Sequence, residues 1–114
     1  MNGTLKKQIE KNLGLVLSDF KNENEAIEFL KSFLSESEFV NLTKRLSVAY
    51  WLANKRSYEN IKTNLKVSSA TIAEAKNLLK KNEIKHAIKK LDASKWADKW
   101  SEKISKMLPP VLKT

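Results

Sequence analysis

The chain has 114 residues and a formal net charge of +9, carried mostly by lysine, because Arg45 and Arg56 are its only arginines. A surplus of this size favours a polyanionic partner such as nucleic acid, although a lysine-rich surface also serves solubility alone. The absence of cysteine excludes disulfides and thiolate metal sites, and no apolar run reaches the roughly 20 residues that span a bilayer.

The first third of the chain has the periodicity of two amphipathic helices within residues 4–34. A polar break at residues 21–24 separates them. Their apolar residues recur at intervals of three and four: Leu5, Ile9, Leu13, Val16, Leu17 and Phe20, then Ala26, Ile27, Leu30, Phe33 and Leu34. Two glycines and two prolines leave little material for hairpins, so the predicted fold class is all-α.

A third helix is predicted over residues 36–54. Ser35 and Glu38 have the spacing of a capping box, in which the two residues satisfy each other's backbone amides. The face expected to be buried carries four apolar residues with three aromatic residues alongside, namely Leu42, Leu46, Ala49 and Ala53, with Phe39, Tyr50 and Trp51. Basic residues at 55 and 56 are typical of a helix carboxyl terminus.

Residues 58–77 have the spacing of a helix-turn-helix, with short helices expected over 57–65 and from 69 to about 81. The inward positions hold apolar residues: Ile61, Leu65, Val67, Ile72 and Ala75. Lys66 occupies a turn position that commonly holds glycine, and a left-handed backbone there costs lysine about 1 kcal/mol. Periodicity alone also allows an ordinary helical hairpin packed in a core.

The predicted second helix of this motif presents short side chains that suit base edges. Alanine methyls can meet thymine methyls, serines can donate to base or phosphate oxygens, and Asn77 can pair with adenine. The candidate base-contacting residues are Ser68, Ser69, Ala70, Thr71, Ala73, Glu74 and Asn77. The candidate phosphate-contacting residues are Tyr58, Lys62, Lys66, Lys76, Lys80 and Lys81.

Beyond the motif, a short helical stripe precedes a predicted amphipathic helix and tail over residues 92–114. The stripe comprises Ile84, Ala87, Ile88 and Leu91. In the predicted terminal helix, Trp96 and Trp100 share the apolar face, and Pro109 stops the helix. His86 is the only histidine and lies among lysines, so neither a metal site nor catalysis is predicted.

Three segments match a known pattern: residues 42–49 (LTKRLSVA), 57–61 (SYENI) and 67–72 (VSSATI). Together they resemble the Trp repressor superfamily over roughly residues 33–80. The resemblance implies a Trp repressor-like domain over residues 1–91. It also implies an intertwined homodimer, whose N-terminal helices hold two helix-turn-helix units one DNA turn apart. The alternative is that those helices cover the core of their own monomer.

The resemblance would also imply a tryptophan corepressor clamped by two arginines. Arg45 corresponds to the first of these, but the second position is Glu74. A carboxylate there repels the carboxylate of an amino acid, which an arginine would pair with. We therefore expect no L-tryptophan and no other cofactor. Arg45 is expected to pair with Glu74 or another acid, and to bind a ligand only if a corepressor exists.

The sequence thus predicts a sequence-specific double-stranded DNA-binding protein, a repressor-like transcriptional regulator without enzymatic activity. No apolar run follows Lys6 and Lys7, so we expect no secretory signal. The expected location is the cytoplasm, in association with the nucleoid. Two alternatives stay open. One is a non-specific nucleoid- or RNA-binding protein, because the recognition positions lack arginine; the other is an adaptor that docks a partner protein through the Trp96 and Trp100 helix.

Overall fold

The computed structural model describes residues 1–92, and all the regular secondary structure in that range is helical. The predicted C-terminal helix with Trp96 and Trp100 lies outside the described residues. The helices are α1 (Gly3–Ser18), α2 (Glu23–Phe33), α3 (Glu36–Ala53), α4 (Tyr58–Leu65) and α5 (Ser69–Leu78), followed by α6, which begins at residue 82 and continues to residue 92. The all-α class is confirmed for this part of the chain.

Helix α5 is shorter than the apolar periodicity indicates. It was expected to run to about Lys81, but it ends at Leu78, and residues 79–81 form a turn. The amides of Lys80 and Lys81 donate to carbonyl oxygens only three residues earlier, at 3.2 Å and 3.0 Å. The apolar spacing continues across this turn into α6, so periodicity cannot locate the break.

Residues Met1–Leu42 form one compact unit, which contains α1, α2 and the start of α3. Asparagine side chains begin its first two helices: Asn2 accepts the Leu5 amide at 2.8 Å, and Asn22 accepts the Glu25 amide at 2.9 Å. Phe29 packs against two other phenylalanine rings, with centroid distances of 5.4 Å to Phe20 and 5.3 Å to Phe33. No side chain of α1 or α2 is buried.

The capping box that opens α3 is formed as predicted. The Ser35 amide donates to the Glu38 carboxylate at 2.8 Å, and the Glu38 amide donates to the Ser35 hydroxyl oxygen at 3.1 Å. The backbone amide of Ser35 and, to a smaller extent, its side chain stabilise the charged carboxylate, and they lower the pKa of Glu38 below its ordinary value.

The second compact unit starts at Thr43 and contains the buried core. Helices α3, α4, α5 and α6 all contribute to it, and its buried residues are Val48, Ala49, Tyr50, Ile61, Ile72, Ala75 and Ile88. The inward positions predicted for the helix-turn-helix are confirmed, because Leu65 and Val67 also pack against this core. The prediction for α3 is partly wrong. Ala49 and Tyr50 are buried as expected, but Leu46 stays 46% exposed, and Val48, which lies outside the predicted face, is buried.

Candidate nucleic-acid interface

The turn between α4 and α5 has the left-handed backbone that was expected at Lys66. Its φ and ψ are 53° and 56°, and it caps the carboxyl end of α4. The ammonium group of Lys44 on α3 lies 3.5 Å from the carbonyl oxygen of Lys66, where a positive charge also suits the helix dipole. Fully buried Ile61 and Ile72 anchor the two helices on either side of the turn.

The amino terminus of α5 is fixed by two hydroxyl groups. Ser68 is the N-cap, and its hydroxyl oxygen accepts the Thr71 amide at 3.1 Å. The hydroxyl oxygens of Ser68 and Thr71 also lie 3.0 Å apart and share a hydrogen bond. Thr71 is half-buried. Both side chains predicted to contact bases therefore have a structural role at the start of the helix.

The remaining predicted base-contacting residues form an exposed edge along α5. We call this set the α5 edge: Ser69, Ala70, Ala73, Glu74 and Asn77. Spacings of three and four residues place Ala70, Ala73 and Asn77 on one face, opposite the buried Ile72 and Ala75. The α5 edge therefore offers two methyl groups, a hydroxyl, a carboxylate and an amide to a ligand.

The six predicted phosphate-contacting residues are all exposed, including Tyr58, whose side chain is 49% accessible. Lys62 lies in the last turn of α4, and Lys76 lies in the last turn of α5, positions where a cation stabilises the helix dipole. Lys80 and Lys81 follow in the turn before α6. Cations thus occur at the end of each helix of the motif.

A second left-handed residue, Lys55, was missed by the sequence analysis. Its amide donates to the Leu52 carbonyl at 3.0 Å, and the Arg56 amide donates to the Trp51 carbonyl at 3.1 Å. This pair of bonds is the Schellman motif, in which the left-handed position is usually glycine. The Arg56 guanidinium carbon lies 4.1 Å from the centroid of the Trp51 ring, a cation–π contact. The basic helix end was recognised in the sequence, but without a glycine nothing indicated its conformation.

Tyr50 ties the carboxyl end of α3 to α6. Burial raises the pKa of Tyr50, and a hydrogen bond to Asp92 and the charge of Asp92 raise it further. The side-chain amide of Asn54 donates to the Tyr50 carbonyl oxygen at 2.8 Å. The phenol therefore stays neutral at physiological pH and holds α6 against the core.

Arg45 and Glu74 are both exposed, and neither forms an ion pair within the described residues. The pairing expected between Arg45 and an acid is thus not formed in that part of the chain. Residues 1–92 also contain no group of three or more His, Cys, Asp or Glu side chains placed to hold a metal ion. In the same range, no helix has the length and apolar character needed to traverse a bilayer.

These features define a helix-turn-helix protein. Its two short helices meet at the left-handed Lys66, Ile61 and Ile72 anchor them in the core, and the α5 edge stays exposed. The family model of the Trp repressor protein matches residues 8–92, about three quarters of the chain. The chain belongs to the Trp repressor family, which is a family of DNA-binding regulators and not of enzymes. A comparison with curated proteins found no match. A comparison with solved structures found none either.

Proposed function

We propose that this protein is a sequence-specific regulator of transcription that reads the major groove of duplex DNA with α5. The main observation behind the proposal is the exposed α5 edge. On the opposite face of the helix, the fully buried Ile72 and Ala75 anchor α5 in the core. A helix anchored in this way presents its exposed side chains in a fixed orientation. The N-terminal part of a recognition helix is the part that contacts base edges.

Each group on the α5 edge has a base that it fits. The methyl groups of Ala70 and Ala73 suit the thymine methyl, and the Asn77 amide suits adenine. The Glu74 carboxylate can accept from the amino group of cytosine. Thr71 and Ser68 were also predicted to contact bases, and we retain them as candidates next to their capping role.

Lysines around the edge supply the sequence-independent part of binding. Lys62, Lys66 and Lys76 are exposed, as are Lys80, Lys81 and Tyr58. Contacts of this kind fix the register of the protein on the duplex, and they make affinity fall steeply with salt. A regulator of this kind works where the chromosome lies, in the cytoplasm and in association with the nucleoid.

We further propose that the protein acts as a homodimer joined through its first compact unit. Neither α1 nor α2 buries a side chain. The exposed apolar residues of this unit include Leu5, Ile9, Leu13, Leu15, Val16, Leu17, Ile27, Phe33, Val40 and Leu42, each at least 40% accessible. Removing this surface from water is favourable, and a second copy offers the same apolar stripes in return. An intertwined dimer is the arrangement that the family suggests.

We propose that DNA binding needs no tryptophan. Glu74 stands where the family resemblance places the second arginine of the corepressor clamp, and a carboxylate repels the carboxylate of an amino acid. Glu74 is also exposed on the α5 edge, where it serves base recognition instead. Arg45 alone provides half of such a clamp.

Selection of bound duplexes from random DNA, without added amino acids, tests the proposal. We expect enrichment of two half-sites related by two-fold symmetry, with centres about 10 base pairs apart or a multiple of that. Binding to the enriched site should weaken linearly on a log–log plot against salt. Failure to bind duplex DNA at low salt would refute DNA binding altogether.

A second candidate is non-specific binding to the chromosome or to RNA. The observation that favours it is the lack of arginine on the α5 edge, because arginine to guanine is the commonest specific contact. This function predicts salt-dependent binding with no enriched sequence in the same selection. Competition between duplex DNA and RNA of equal length then separates its two forms.

A further inference from the structure

Two residues other than glycine have a positive φ among residues 1–92, and both are lysines. Lys55 has φ 61°, and Lys66 has φ 53°. Lys55 ends α3 and Lys66 ends α4, so the two lysines bracket α4 in the chain. Glycine adopts this backbone without the steric cost that a side chain incurs. A lysine therefore adopts the unfavourable left-handed backbone at each end of α4.

The ammonium groups of these two lysines form no ion pair within the described residues. Both side chains are exposed, and neither forms an ion pair with a carboxylate of residues 1–92. Strained backbone positions persist where the surrounding structure enforces them, and they concentrate at functional sites. A positive charge without a carboxylate partner among residues 1–92 is available to an external anion.

Arg56, next to Lys55, is a cation with a fixed position. Its guanidinium carbon lies 4.1 Å from the Trp51 ring centroid, and Trp51 in turn packs against the buried core. Stacking leaves the edge of the guanidinium plane, with its N–H donors, available to an anion. Lys55 and Arg56 thus place two exposed cations immediately before α4, and the Arg56 side chain is held by its contact with Trp51.

We propose that Lys55 and Arg56 form a second phosphate-contacting site, which acts together with Lys66 on the backbone of duplex DNA. This inference rests on the proposed function and adds a site that the α5 edge and its lysines do not include. Helix α4 has eight residues, and a helix of that size is about 12 Å long. The major groove is also about 12 Å wide. Cations at the two ends of α4 can therefore contact the two strands that border one groove.

Neutral substitutions at Lys55 should change stability and affinity in opposite directions. Lys55→Gly relieves the left-handed strain, so we expect Tm to rise by about 2–6 °C. Loss of one phosphate contact should weaken DNA binding about five- to tenfold at 0.1 M salt and reduce the salt slope by about 0.9 for each lysine lost. Lys55→Asn removes the same charge, and asparagine also adopts the left-handed backbone. This second variant separates the loss of charge from any loosening of the turn that glycine causes.

Three further variants complete the experiment on the full chain. Lys55→Arg keeps the charge and should retain most of the affinity. Arg56→Gln removes the stacked cation and should weaken binding by a similar factor. Lys11→Gln on α1 lowers the net charge equally and serves as the control for long-range electrostatics.

The outcomes separate this inference from the proposed function. If wild-type protein binds duplex DNA but neither neutral Lys55 variant weakens binding more than Lys11→Gln does, the second site is refuted and the proposed function stands. If wild-type protein does not bind duplex DNA at low salt, the proposed function fails first. A rise in Tm together with a loss of affinity in Lys55→Gly supports the site.

Discussion

The hydroxyl oxygen of Ser68 accepts the amide of Thr71 at 3.1 Å and lies 3.0 Å from the Thr71 hydroxyl oxygen. One serine therefore begins α5 and orders the threonine that follows it. The next residue, Ser69, is exposed and makes no hydrogen bond through its hydroxyl within residues 1–92. Two neighbouring serines thus have different roles, one in forming the helix and one available to a ligand.

Ser68→Ala should destabilise the protein, because it removes the N-cap of α5. The expected loss is about 1 kcal/mol in the free energy of unfolding, and DNA binding should weaken. Ser68→Asp should restore most of the stability. Ser69→Ala should change stability by less than about 0.5 kcal/mol while altering preference among sites. Thermal unfolding and binding to two or more duplexes measure both effects, and equal stability losses for the two alanine variants would contradict the assignment.

Glu74→Gln should change which base is preferred at one position of each half-site. A carboxylate accepts from the amino group of cytosine, whereas a glutamine amide pairs with adenine, and such a contact discriminates by about 1–3 kcal/mol. Selection from random duplexes with each variant measures the shift. Glu59→Gln on α4 removes the same charge from an exposed position outside the α5 edge and should leave the selected sequence unchanged. An unchanged preference in Glu74→Gln would exclude this residue from base recognition.

Leu13→Glu should convert a dimer into monomers. Leu13 is 50% exposed on α1, and a charge at the centre of an apolar contact between two copies is costly to bury. Sedimentation should give twice the chain mass for the wild type and the chain mass for the variant. Gly14→Glu places the same charge on the adjacent residue outside the apolar stripe, where an added Cβ meets no atom within 4 Å, and should remain dimeric. A wild-type protein that sediments as a monomer at micromolar concentration would rule out the proposed dimer.

Acid should weaken the amino terminus of α3 through Glu38. Its pKa is lowered in the folded state, so the folded state holds this proton less tightly than the unfolded chain does. The stabilisation is therefore complete above the ordinary pKa and disappears as pH falls through the lowered one. The Ser35 amide resonance, followed by NMR from pH 7 to pH 2, should report loss of its bond at 2.8 Å to the carboxylate.

Glu38→Gln should remove that pH dependence, because glutamine does not ionise. Glu36→Gln is the matched control, since it removes a charge from the same helical turn and leaves the Ser35 bonds in place. Identical acid transitions in wild type and Glu38→Gln would show that the capping box does not sense pH.

Local periodicity located the two short helices of the helix-turn-helix. The spacing of Ile61, Leu65 and Ile72 indicated two short helices in the correct place, and position 66 indicated a left-handed turn even though lysine occupies it. The capping box at Ser35 was equally clear. These features depend on side chains three to seven residues apart, so they can be recognised without knowledge of the tertiary packing.

Features that depend on tertiary packing could not be predicted from the spacing of residues along the chain. Leu46 is exposed although it shares a face with the buried Tyr50, because α3 contributes to the core formed with α4, α5 and α6 only from Val48 to Leu52. The break at residues 79–81 interrupts a continuous apolar pattern for the same reason, since α6 must turn to place Ile88 in that core.

The all-helical class and the capping box that opens α3 could be predicted from the residues alone, because both follow from short-range periodicity and hydrogen bonding. The left-handed backbone of Lys55 and the stacking of Arg56 on Trp51 are evident only in the folded chain. Lysine has no intrinsic preference for that conformation, so only the end of α3 and the direction in which α4 leaves it can impose it.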